Sequence, residues 1–265
     1  DNDRKFILLG DPALKLAYPE HRVEVTSVNG TSVGSDPDTL RALSTVQVTG
    51  RITDQNGVQQ TGFQGTLYSI VFDKPSSITT LQTDDNSRPA VFELQNNILY
   101  KGKAEVTNGE FSFSFIVPKD ISYQYGFGKI SFYAASETTD ANGYYNNLVI
   151  GGFEPDVDPD EEGPEIDLYM NDELFVFGGM TDENPVLFAR VKDDSGINTV
   201  GSGIGHDIVA ILDGNTDKPF ILNEYYEAEV NSFTSGTVRY QFIGLEPGLH
   251  SVSLKVWDVF NNSGE

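Results

Sequence analysis

The 265-residue sequence contains no cysteine, which excludes disulfide bonds, cysteine-ligated zinc and a cysteine nucleophile within it. Histidine is rare as well. His21, His206 and His250 are widely spaced, and none forms the H-x-x-x-H pair that would predict a metal site. No apolar run is long enough to span a bilayer and no signal peptide is visible, so direct membrane insertion is not expected.

Basic residues are also scarce: 17 Lys and Arg stand against 40 Asp and Glu, giving a net charge of -23. Nucleic acid is therefore an unlikely class of partner, because binding phosphate requires clustered Lys and Arg. An anionic membrane surface is disfavoured for the same reason. Two interpretations of the acidity stay open: a solvated extracytoplasmic surface, or binding of calcium.

What the sequence does contain is strand and turn chemistry. Val, Ile, Thr, Phe and Tyr dominate the patterned stretches, and the 26 glycines favour turns over helices. The clearest hairpin runs from Ala104 to Val117, where Asn108-Gly109 suits a type I′ turn and Phe111, Phe113 and Phe115 alternate with polar residues. The pattern predicts an all-β protein of two tandem immunoglobulin-like antiparallel β-sandwiches.

Only two stretches have helical signals, residues 36–43 and 222–230, and both would be short. At the other end of the chain, the second module stops where such a sandwich normally has one more strand. We therefore expect an unpaired edge near residues 261–265.

An acidic, proline-rich segment, residues 154–165, separates the two modules, and its only apolar residue is Val157. Such a segment suits a solvated, extended linker. Its alternating carboxylates also suit calcium, although the glycine and spacing of an EF-hand are missing. The candidate calcium ligands are Asp156, Asp158, Asp160, Glu161 and Glu162. Asp84-Asp85 and Asp193-Asp194 are weaker candidates.

Two glycine motifs resemble catalytic or phosphate-binding loops, but their context argues against both. Gly30-Thr-Ser-Val-Gly34 has the spacing of a nucleophile elbow, yet no helix pattern follows it. Gly201–Gly205 lacks the βαβ context and lysine of a phosphate loop. We therefore predict no catalytic residue and no cofactor-binding residue in this chain.

Several sequence blocks, in the same order over most of the chain, resemble one known family. These blocks are Phe6–Pro19, Gly126–Tyr133, Asn142–Gly152, Gly203–Asp207 and Leu245–Asp258. The family is that of the gingipain-like cysteine peptidases, and the closest subgroup is the type IX secretion system sortases of Bacteroidetes. Its catalytic Cys and His lie in an upstream domain that this chain lacks, so the resemblance implies that neither role falls on a residue here.

The resemblance also implies a domain division. Residues 1–20 would be the last edge of a missing α/β peptidase domain, 21–153 the first β-sandwich, 154–165 the linker, and 166–265 a truncated second sandwich. The chain opens on Asp1 rather than methionine, which agrees with an expected origin in a longer protein.

By resemblance, the parent protein is a peptidase that cleaves the C-terminal signals of secreted cargo and attaches that cargo to the cell surface. This region would support, orient or present partners to its own upstream catalytic domain, and other secretion or surface proteins are further possible partners. The implied location is extracytoplasmic, at the cell surface or outer membrane. The alternative is a stand-alone adhesin or carbohydrate-binding module that uses Tyr144-Tyr145, Tyr225-Tyr226 and Trp257.

Overall fold

The computed structural model describes residue 13 and residues 17–34, 36–83, 86–199 and 205–265. The predicted strand at residues 6–9, on which the remnant of a peptidase domain depends, lies outside the described residues. So do Asp84-Asp85 and most of the glycine motif at 201–205.

Within the described residues the protein is all-β, as predicted, with a single 3-10 turn at Asn223–Tyr225. The strands are β1 His21–Val28, β2 Thr31–Ser32, β3 Thr39–Ala42, β4 Thr45–Thr53, β5 Gly65–Phe72, β6 Ser76–Thr79, β7 Val91–Leu94, β8 Ile98–Thr107, β9 Glu110–Ile116, β10 Gly126–Phe127, β11 Lys129–Ser136, β12 Asp140–Tyr145, β13 Val149–Phe153, β14 Glu165–Met170, β15 Val186–Lys192, β16 Val209–Leu212, β17 Phe220–Ile221, β18 Tyr226–Ala228, β19 Ser235–Gln241, β20 Val252–Trp257 and β21 Ser263–Gly264.

The first module is a closed sheet rather than two separate sheets. Its strand order is β12-β11-β5-β8-β9-β4-β1-β2, and β12 also pairs with β1, which closes seven strands into a barrel. The closing pair is parallel and joins His21 to Ala141 and Arg22 to Asn142. Gly143 permits this approach, because a Cβ there would lie 2.2 Å from the carbonyl oxygen of Val23. The predicted two-sheet sandwich is thus replaced by a barrel in this module.

Phenylalanine rings fill the barrel, as the alternation along β9 predicts. Phe111, Phe113 and Phe115 are buried, and the ring centroid of Phe115 lies 4.8 Å from that of Tyr100. The predicted turn before these residues is also confirmed: Asn108 and Gly109 both have positive φ, 54° and 72°.

The predicted helix at residues 36–43 is wrong. Thr39–Ala42 forms β3, which pairs in parallel with β13 in a three-stranded sheet, β10-β13-β3. Leu40 and Ala42 are buried by this pairing. Tertiary burial therefore overrides a local helix-start signal. In the second helical stretch, 222–230, the helical part is limited to the 3-10 turn at Asn223–Tyr225, and β18 follows it directly.

The second module consists of two four-stranded sheets that share one core. Their strand orders are β14-β15-β19-β18 and β17-β16-β20-β21. Leu187, Val191 and Val238 of one sheet and Ala210 and Leu254 of the other belong to the same buried cluster. Near residues 261–265, where an unpaired edge was expected, the described chain forms the short strand β21, which pairs with Val256 and Trp257 of β20 and stands at the end of its sheet.

Candidate metal centre and module interface

Three carboxylates converge where the linker meets the second module. Asp160 lies in the linker, Asp193 follows β15, and Asp258 follows β20. One carboxylate oxygen from each lies within 4.8 Å of the others. Strands β15 and β20 both end at this edge of the module, so the fold brings together residues that are far apart in sequence.

Two of these carboxylates are buried: Asp193 is 8% exposed and Asp258 is 0% exposed. Burial, together with the neighbouring charges of Asp258 and Asp160, raises the pKa of Asp193 to about 6. Hydrogen bonds from the backbone of Ser195 and Gly196 act in the opposite direction. Burial also raises the pKa of Asp258. A buried carboxylate group of this kind is costly as an anion unless a cation compensates it.

Hydrogen bonds fix the geometry of the three carboxylates. Asp193 Oδ1 accepts from the backbone N–H of Ser195 at 2.8 Å, and Asp258 Oδ1 accepts from that of Asn262 at 2.6 Å. Asp160 accepts from the Ser195 hydroxyl, and its carbonyl oxygen accepts from the Asn262 side chain at 2.9 Å. The donor set is entirely oxygen, which fits calcium and not a thiolate- or imidazole-preferring metal.

Of the five predicted calcium ligands, the structure brings only Asp160 into this cluster. Asp156, Asp158, Glu161 and Glu162 are exposed and lie outside it. Asp193 was a weaker candidate from sequence, and Asp258 was missed. The sequence signal for Asp193 is the Asp-Asp-Ser-Gly turn, but nothing local marks Asp258 as a ligand.

Among the residues that the structure describes, the two modules touch at two places. At the first, the turn between β18 and β19 packs on β8: the N–H of Asn231 donates to the carbonyl of Lys103 at 2.9 Å, and Asn231 Oδ1 accepts from the N–H of Glu105 at 2.8 Å. Lys103 also forms an ion pair with Glu227 of β18. Phe233 packs against the hydrophobic core of the first module.

The second contact lies on the Lys119-Asp120 turn of the first module. Asp120 pairs with His206 and accepts from the Asn261 side chain at 2.8 Å, while the N–H of Lys119 donates to the carbonyl of Val259 at 2.9 Å. The His206 ring lies 4.4 Å from that of Trp257. Two hydrogen-bonded contacts, one on β8 and one on the Lys119-Asp120 turn, thus hold the modules in one orientation.

The histidines form no catalytic arrangement within the described residues. His206 contacts Asp120 and Trp257, and His250 uses both ring nitrogens on Asp213 and the carbonyl of Glu246. Neither is hydrogen-bonded to a Ser, Thr or Lys side chain in this part of the chain. Ser32, in the elbow-like motif, lies in strand β2 rather than at a helix start.

The aromatic residues considered for sugar binding differ in their exposure to solvent. Tyr226 is buried, whereas Tyr225 is 47% exposed and Tyr144 is 69% exposed. Tyr225 packs its ring edge-on against Tyr240, and Lys255 covers the ring of Trp257. The two Tyr pairs therefore do not act as paired stacking platforms.

Among the described residues, no helix is long and apolar enough to cross a membrane. No protein-family model and no curated protein sequence matches the chain. Among solved structures, it is similar to dimeric latent PorU from Porphyromonas gingivalis, with 33% sequence identity and a TM-score of 0.57. That match covers 97% of this chain and 24% of the PorU chain, so this chain spans about a quarter of its relative.

Two further matches are much more remote. Spo0M, a sporulation control protein from Bacillus subtilis, has 12% identity and a TM-score of 0.30, over 84% of this chain and 91% of that one. A marsupial T cell receptor has 7% identity and a TM-score of 0.22, over 88% and 99% of the two chains. Neither supports an argument about this protein, whereas its relation to PorU extends over nearly all of its length.

Proposed function

We propose that this chain is the non-catalytic β-region of a PorU-like type IX secretion protein, and that it positions an upstream gingipain-like peptidase domain and its partners. The observation that carries the proposal is the 33% identity to PorU over 97% of this chain. PorU is a type IX sortase, and the chain matches only 24% of it. The catalytic chemistry is accordingly assigned to the part that this chain does not cover.

The fold supports a positioning role. A region that orients a catalytic domain must itself hold one shape, and the two modules are joined through β8, through the Lys119-Asp120 turn and through the linker. The strand orders of the second module correspond to the ABED and CFG sheets of immunoglobulin domains, which supports an immunoglobulin-like assignment for it. A cell-surface, outer-membrane-associated location is part of the same proposal.

The test uses the full-length protein and the Lys103–Glu227 ion pair between the modules. In an Asp120→Ala background, which removes the second contact, we expect Lys103→Glu and Glu227→Lys each to lower processing of the C-terminal signals of cargo, because like charges then face each other across the remaining contact. The charge-swapped double variant restores the attraction, so it should recover processing. Arg51→Glu, which breaks an exposed ion pair within the first module, is the matched control.

If both single reversals separate the modules but leave processing unchanged, the positioning role is wrong. Peptidase activity of this chain alone, after removal of contaminants, would contradict its assignment as non-catalytic.

We also propose that the cluster of Asp160, Asp193 and Asp258 binds calcium and fastens the linker to the second module. The supporting observation is that two buried carboxylates and a third lie within 4.8 Å, with hard oxygen donors only. Calcium binding there would tie the linker to the ends of two strands of the second module, β15 and β20. Of the five ligands predicted from sequence, this proposal includes only Asp160. The other four are exposed carboxylates of the linker.

Calcium should raise the unfolding temperature of the wild-type chain by roughly 5–10 °C at a hundredfold excess over its dissociation constant. Asp193→Asn keeps an acceptor for the N–H of Ser195 but removes one ligand charge, so this response should vanish. Asp194→Asn removes the same charge from the exposed neighbouring residue and should keep the response. An equal response in all three proteins would place calcium elsewhere.

A further inference from the structure

The far end of the second module carries an unusual exposed apolar surface. We name it the distal tip and define it as residues 171–185, between β14 and β15, and residues 243–250, between β19 and β20. Six of its apolar side chains lie mostly in solvent. They are Leu174 at 87%, Val176 at 73%, Phe177 at 101%, Met180 at 97%, Ile243 at 82% and Leu249 at 97% exposed. Exposed apolar residues are common singly, but a cluster of this size marks an interaction site.

The two loops of the distal tip form one structural unit. The N–H groups of Phe242 and Leu245 donate to the carbonyls of Pro185 and Glu183 at 3.0 and 2.9 Å, and Gly244 donates to the side chain of Asn184 at 2.9 Å. Strand β15 runs from the tip to the carboxylate cluster, a distance of about 20 Å for seven residues. The tip is thus presented at the opposite end of the module from the linker.

Phe177 is held at the apex by a defined turn. The N–H of Gly179 donates to the carbonyl of Val176 at 2.8 Å, and Gly178 has a φ of +81°. This is the turn geometry that requires glycine at its third position, and it projects the second residue, Phe177, outward. A convex apex that carries an exposed aromatic ring fits a concave partner.

The charges around the tip select the kind of partner. Asp172, Asp182, Glu183 and Glu246 flank its apolar residues, whereas Glu173 is paired with Arg190 of β15. Neither loop contains Lys or Arg. An anionic membrane is disfavoured because membrane-binding loops use basic residues and interfacial Trp or Tyr, which both loops lack. A second copy of this chain would present the same carboxylates on a surface with a net charge of -23.

We propose that the distal tip docks into an apolar pocket of another protein whose rim carries Lys or Arg. Phe177 and Met180 enter the pocket, and the flanking carboxylates meet the basic rim. The apolar contacts provide affinity, and the charges provide orientation and the rate of association. This docking goes beyond the positioning of the upstream domain and does not depend on it, since the tip lies away from both module contacts.

The test places a photoreactive phenylalanine at position 177 of the full-length protein in the cells that produce it, with position 58 as the control. Val58 is an exposed apolar residue of the first module, at 60% exposure. We expect one protein adduct from position 177 and none from position 58. The cross-link should map to an apolar pocket bordered by Lys or Arg. The purified partner should lose roughly tenfold or more in affinity for Phe177→Ser, and little for Val58→Ser.

The purified full-length protein is then tested for the two alternative partners of the tip, a membrane and a second copy of itself. It is floated with vesicles of phosphatidylcholine, alone and with phosphatidylglycerol, and its mass is measured at rising concentration by ultracentrifugation. Vesicle binding or dimerisation that Phe177→Ser abolishes would overturn the proposal. An adduct on a flat or acidic surface, or no adduct at position 177, would overturn it as well.

Discussion

His250 shows how one side chain can order a loop of the distal tip. Its Nδ1 lies 2.8 Å from Asp213 Oδ2, and its Nε2 lies 2.7 Å from the carbonyl oxygen of Glu246. Both partners accept hydrogen bonds, so the protonated ring satisfies both at once. The carbonyl of Glu246, followed by the carboxylate of Asp213, therefore raises the pKa of His250 above its ordinary value of 6.5.

The stabilisation from His250 is complete below its unfolded pKa and is lost as the pH rises through its higher folded pKa. We expect Asp213→Asn to lower the pKa of His250 in an NMR titration of the ring protons, because the neutral amide no longer supplies the negative charge that favours the protonated ring. Asp217→Asn, an exposed neighbour of the same charge, should leave the titration unchanged. Identical titrations in the wild type and Asp213→Asn would show that the pair does not form.

At the scale of strands, closure of the barrel depends on a glycine at the β12–β1 seam. A Cβ on Gly143 would lie 2.2 Å from the carbonyl oxygen of Val23, and backbone cannot move as easily as a side chain. We expect Gly143→Ala to reduce the free energy of unfolding by about 1–3 kcal/mol, measured by urea denaturation with circular dichroism.

Gly62→Ala is the control for this substitution, because a Cβ at Gly62 meets nothing within 4 Å. Its effect should stay within about 0.5 kcal/mol. If the two variants have equal stability, β12 and β1 do not approach as closely as the structure has them.

The strands that could be predicted from sequence are those whose signals are local. The β8–β9 hairpin was predicted because its turn residues and its phenylalanine alternation lie within fourteen consecutive residues, 104–117. The barrel was not predicted, since its closing pair joins His21 to Ala141 and no local pattern reports such a partner. Strand β3 was mistaken for a helix because its partner, β13, follows it by more than a hundred residues.

The candidate calcium site follows the same rule. Asp160 was predicted because the linker concentrates carboxylates in one short segment. Asp258 could not be predicted, since its value as a ligand arises only when the end of β20 meets the turn after β15. A ligand set gathered from three elements leaves no spacing to recognise, unlike an EF-hand loop that carries its ligands consecutively.

At the scale of the whole molecule, the arrangement of the modules rests on two separate contacts. In the first contact, Asn231 Oδ1 accepts a hydrogen bond from the N–H of Glu105 in β8. In the second, Asp120 pairs with His206 and accepts a hydrogen bond from the Asn261 side chain. The first contact also includes Phe233, which packs on the core of the first module. Together the two contacts restrict rotation about the linker because one lies on β8 and the other on the Lys119-Asp120 turn. Inter-module orientation should therefore depend on the pair of contacts more than on either one.

We expect Asn231→Gly and Asp120→Ala to leave the radius of gyration in small-angle X-ray scattering near that of the wild type when made singly, and to increase it when combined. Gly suits the positive φ of Asn231, 61°, so this variant removes the side-chain acceptor without straining the backbone. The exposed pair Asn215→Gly and Asp217→Ala makes the same chemical changes away from the contacts and should not alter the scattering. A combined contact variant as compact as the wild type would show that other interactions, such as the Lys103–Glu227 ion pair and the packing of Phe233, hold the modules together.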